Sequence, residues 1–95
     1  MRLTQKQISA IKSNFQTFFN EGKIYLFGSR LDDSRKGGDI DLYISTQDRR
    51  KLVEKKINFL VGLQREIGEQ KIDVVLDYGT NRLIDKRAKE TGVLL

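Results

Sequence analysis

The chain has no cysteine and no histidine. The first absence excludes disulfides and thiolate metal sites, and the second removes the commonest zinc ligand. Any metal bound here is therefore held by oxygen, which points to magnesium, manganese or calcium. Long apolar runs are missing as well. None approaches the length of a membrane span and the N-terminus lacks the apolar core of a secretory signal, so a cytoplasmic location is expected. Repeats, linkers and low-complexity segments are also absent. What is there is 95 residues, 38% hydrophobic with eight glycines, an ordinary globular composition for a single domain over 1–95. So small a domain buries a modest core and leans toward a partner. Its net charge of +5 suits a nucleotide, a nucleic acid or an acidic protein, and equally suits plain solubility.

Apolar periodicity divides the chain into six elements. Ile8, Ile11, Phe15 and Phe18 recur at spacings of three and four, which predicts a helix from Thr4, its N-cap, to Asn20, with Gly22 as a left-handed stop. Ile24 to Phe27 reads as a short buried strand and Ile40 to Ile44 as a second. The longest helix is expected from Asp48 to Ile67, with Val53, Ile57, Leu60, Leu63 and Ile67 as its apolar stripe and Gly68 as its end. Arg49, Arg50, Lys51, Lys55 and Lys56 crowd its start. Asp48 and Glu54 lie among them and no aromatic does, so the reading is a solvated face rather than a nucleic-acid site. Lys71 to Leu76 follows as a third strand, and a last helix runs from Asn81 to Glu90, closed by Gly92. The order is α-β-β-α-β-α, an α/β (α+β) chain with a small mixed sheet. Strand, long helix and strand make a β-α-β unit, which implies parallel pairing of strands two and three.

The stretch from Leu26 to Ile44 carries the chemistry. An apolar run ends in Gly28-Ser29, a polar loop follows, and Asp39 and Asp41 open the next strand. Alternation puts both aspartates on one face, their Cα atoms roughly 6.5–7 Å apart. With the third strand parallel to the second, Asp73 comes level with them; with the first strand antiparallel, Gly28-Ser29 arrives at the same edge. Two carboxylates at about 4 Å repel by roughly 4 kcal/mol at an effective dielectric near 20, so such a cluster calls for a cation or a retained proton. Two divalent ions bridged by Asp39 and Asp41 would orient a triphosphate for in-line displacement, with Asp73 as a further ligand or as the base. Gly28 lets backbone approach a ligand, Ser29 offers a hydroxyl and an N–H, and Arg30, Arg35 and Lys36 could meet outer phosphate oxygens. Taken singly, each feature has a plainer reading. Asp-x-Asp is commonly a polar strand face, Gly-Ser is turn chemistry, and Asp77 reads as a turn residue.

The combination is more specific than its parts. Gly28-Ser29, nine residues, then Asp39-Ile40-Asp41-Leu42, and after a long helix Lys71-Ile72-Asp73-Val74, resembles the nucleotidyltransferase fold of the DNA polymerase β superfamily. The size is similar to that of the minimal nucleotidyltransferases of bacteria and archaea. The resemblance implies two magnesium ions (manganese as an alternative) held by Asp39, Asp41 and Asp73, and a triphosphate, with ATP the expected substrate, bound by Gly28 and Ser29. It implies transfer of AMP to a hydroxyl. It also implies a HEPN-domain toxin as partner, a tyrosine of which would be adenylylated, making this chain an antitoxin. Gly38 departs from the serine common before the first aspartate. The second domain that larger relatives use to bind an acceptor is expected to be missing here, so a partner is expected to supply the acceptor. Two other readings stand beside this one: an antitoxin acting by contact alone, and a subunit recruiting nucleic acid through its basic surface.

Overall fold

The computed structural model describes residues 3–28 and 39–95. Helix α1, Gln5–Phe18, starts in a capping box: the Gln7 N–H donates to Thr4 Oγ1 (3.1 Å) and the Thr4 N–H to Gln7 Oε1 (2.9 Å). Past its end the residue directly after the C-cap, Asn20, is left-handed (φ 64). Gly22 also has a positive φ of 105 but serves the turn into the first strand, where a Cβ would run into the Ser45 carbonyl.

Strands β1, Lys23–Phe27, and β2, Ile40–Ser45, pair antiparallel, and β2 pairs in parallel with β3, Ile72–Leu76. A two-residue strand, β4, Val93–Leu94, adds to the far side of β1, giving the sheet order β3-β2-β1-β4. The anticipated α-β-β-α-β-α order thus gains this short strand, too brief to register as periodicity. Alternation sends Ile24, Leu26, Ile40, Leu42, Ile44, Val74 and Leu76 into the core against Ile11 and Phe15 of α1 and Phe59 and Leu63 of α2, Leu52–Ile67. Buried Asn14 ties the two helices together, donating from Nδ2 to the Ala10 carbonyl (2.8 Å) and to Glu66 Oε1 (3.1 Å).

Helix α2 differs from expectation in two ways. It begins at Leu52 rather than at Asp48. The Asp48 carboxylate accepts the Arg50 N–H (3.1 Å), and the chain then turns through Lys51 in left-handed geometry (φ 53) before the helix can propagate. The predicted apolar stripe is also split: Leu63 is buried, Leu60 and Ile67 are half-buried, but Val53 and Ile57 face solvent, and Leu52 and Phe59 take their place in the core.

Helix α3, Leu83–Thr91, covers the opposite face of the sheet. That face presents Tyr25, Asp41, Tyr43, Ser45 and Asp73, and α3 buries Tyr43 completely. The Tyr43 Oη donates to Asp85 Oδ1 at 2.7 Å, and Asp85 in turn accepts from the backbone and guanidinium of Arg82 (2.7–3.1 Å). Asp77 is the turn residue expected from sequence, accepting the Gly79 N–H two residues on (2.8 Å), and it is also buried, holding Ser45 Oγ (3.0 Å) and Lys89 Nζ (3.1 Å). Among the described residues no helix is long and apolar enough to cross a membrane.

Candidate active site at the start of the central strand

Strand β2 lies between β1 and β3, so its backbone is hydrogen-bonded on both sides. Asp41 sits opposite Asp73 in the parallel register and opposite Phe27 in the antiparallel one. The Ile40 N–H donates to the Lys71 carbonyl (3.0 Å), which fixes the start of β3 beside Asp39 and Asp41. All three predicted acids therefore stand at one edge of the sheet, on elements locked in register. Gly28 closes the edge from the β1 side. It has a φ of 83, and a Cβ there would overlap the Asp41 carboxylate, so backbone comes closer to that acid than any other residue would permit.

The electrostatics follow from this crowding. Burial pushes the Asp41 carboxyl above its ordinary range, the charges of Asp73 and Asp39 push it further, and Lys71 opposes them. Lys71, a residue of no evident role in the sequence, places its Nζ 3.5 Å from Asp39 Oδ2. Its position two residues before Asp73 was the one signal available. No donor within the described residues meets the carboxylates of Asp41 or Asp73.

The donor set is oxygen alone, the chemistry of a hard divalent cation. Among the described residues no group of three acidic, histidine or cysteine side chains stands close enough to cage an ion unaided. Magnesium is normally held by one or two carboxylates together with substrate phosphates, and Asp41 with its neighbours Asp39 and Asp73 fits that arrangement. Beside Gly28 a groove of about 650 Å³ runs under α3, lined by Phe27, Leu83, Ile84, Arg87 and Thr91. It is large enough for a nucleoside-sized group. Ser29, Arg30, Arg35 and Lys36, expected to bind phosphates, and Gly38 beside them, lie outside the described residues.

Residues 9–95 match the family model described as Polymerase beta, Nucleotidyltransferase. The chain belongs to this nucleotidyltransferase family. No curated protein matches the chain. Family membership supports nucleotidyl transfer in general, a reaction that draws on a nucleoside triphosphate and divalent metal.

The polar network under α3 was missed from sequence. Tyr43 and Asp85 are 42 residues apart, and nothing local to either announces the bond between them.

Proposed function

We propose that this nucleotidyltransferase moves AMP from ATP to a hydroxyl of a partner protein, a HEPN-domain toxin, and thereby acts as its antitoxin. The observation that carries the reading is the register of Asp41 against Asp73 at the edge that also holds Asp39 and Gly28. Asp39 and Asp41, with Asp73 beside them, would hold magnesium, or manganese in its place. When bound, the ion neutralises the triphosphate and the acids that otherwise repel one another.

The chain's own residues then divide the remaining work. The Gly28 backbone admits the triphosphate close to Asp41. The groove under α3 seats the base against Phe27 and Leu83. The acceptor oxygen forms a bond to the α-phosphorus as the bond from that phosphorus to the β-phosphate bridge breaks, releasing pyrophosphate. Asp73, exposed at the edge strand, takes the hydroxyl proton. The basic surface attracts the polyanion before it docks.

The test is intact-mass spectrometry of a HEPN-domain partner encoded beside this chain, after incubation with the protein, ATP and magnesium. Mass added in units of AMP, lost with EDTA and with Asp41→Asn, is the expected result. A stable complex of unchanged mass, with manganese and the other nucleoside triphosphates also tried, would overturn transfer in favour of neutralisation by contact.

A further inference from the structure

Helix α2 has two apolar faces. Leu52, Phe59 and Leu63 are buried in the core. Val53, Ile57 and Val61 point away from it and remain 60, 55 and 47% exposed. A spacing of four stacks them one per turn, so they form a continuous aliphatic stripe along the helix. Such a stripe on an otherwise charged surface marks a contact face.

The charges around it say which contact. Glu54 stands in the first turn and Arg65 in the last. Their separation is close to three full turns, which puts both on the same flank of the stripe, about 16 Å apart along the axis. Neither has an ion-pair partner among the described residues. The nearby Arg50, by contrast, is closed on Asp48 at 3.0 Å.

We propose that this face is a two-fold interface between two copies of the chain, with the α2 helices antiparallel. A two-fold axis normal to the plane of two antiparallel helices sets each flank against the same flank of its mate and reverses its direction. Each Glu54 then meets the Arg65 of the other copy, and the ion pair is made twice. Ile57 packs on the other copy's Val61, and Val61 on its Ile57, along the line between those pairs. Parallel helices would leave each Glu54 level with the other Glu54, three turns from either Arg65. The interface lies on the outer face of α2, so it does not rest on the transfer reading.

Both charges also complement the helix dipole, a role that needs no second copy. A charge swap separates the two. Sedimentation equilibrium of the full chain at low salt, where surface charges are least screened, is the measurement. A dimer is expected, and Ile57→Glu should render it monomeric. Glu54→Arg and Arg65→Glu should each weaken it about tenfold, and the two together should restore it to within about threefold of the parent. Circular dichroism checks that each variant keeps its helices. A chain that stays monomeric up to about 1 mM overturns the proposal and leaves the stripe to another protein. So does a dimer indifferent to Ile57→Glu, or a double swap weaker than either single one.

Discussion

One face of the sheet carries two acidic groups, toward opposite ends of β2, and they are handled in opposite ways. Asp77 and Asp85 are buried and closed internally: Asp77 by Lys89, Ser45 and the Gly79 N–H, Asp85 by Arg82 and Tyr43. Hydrogen bonds from Arg82, helped by Tyr43, hold the Asp85 carboxyl down at about 2. Burial alone would raise Asp77, yet the Gly79 N–H, Lys89 and Ser45 outweigh it and lower it. Asp41, less buried, goes the other way, raised by burial and by its acidic neighbours. Where a carboxylate is part of the framework, the fold supplies its countercharge. At the other end Lys71, beside Asp39, offsets the repulsion only in part, and the Asp41 carboxyl stays raised.

The comparison can be broken at either end. The largest effect is expected on activity: Asp41→Asn should lower nucleotidyl transfer by at least about a thousandfold, since the charge stabilisation at stake is several kcal/mol. Transfer rates measured by mass or by pyrophosphate release check this, and near-parental rates would remove Asp41 from the site. Next comes Asp85→Ala, which leaves Arg82 and the buried Tyr43 hydroxyl without their acceptor. It should cost about 3 kcal/mol in urea unfolding. Tyr43→Phe removes one donor and keeps the ring, so about 1 kcal/mol is expected from the same measurement.

The smallest effect has the opposite sign. Asp41→Asn, for all its damage to transfer, should stabilise the metal-free protein by roughly 0.5 kcal/mol at neutral pH, a gain of a few degrees in Tm. The pH dependence of the two ends should also be opposed. Asp85 is lowered in the fold, so its contribution is present above the usual carboxylate range and fades as pH falls toward 2. Asp41 is raised, so the folded state favours its protonated form, and the gain from Asp41→Asn should appear as pH rises and vanish in acid. Thermal melts of both variants from neutral pH down to about 2 would show the crossing trends.

The two ends also differ in how well the sequence announced them. The acidic edge was legible because period-two alternation and the β-α-β rule act locally: Asp39, Asp41 and Asp73 could be put on one face and level with one another from spacing alone. The framework end was not. Tyr43, Asp77, Asp85 and Lys89 come from three separate elements, and their hydrogen bonds exist only once α3 has docked. Helix α2 misled for a different reason. Its apolar residues cover more than one face, and periodicity counted Val53 and Ile57 with the core side although they point to solvent. Its true start was hidden because Asp48, a good cap by type, spends its carboxylate on Arg50.

The position of Asp41 in a strand bonded on both sides carries a consequence for how this protein tolerates damage. A slip of β2 by one residue would carry Asp41 to the core face and bring Ile40 or Leu42 out in its place. Such a slip leaves neither Asp39 nor Asp41 on the face of Asp73. A population of molecules in which heat or a loosened β2 permits that slip should therefore contain sites in register and sites out of it, with few that are merely slow. Loss of output would reflect a shrinking headcount rather than a falling turnover per survivor.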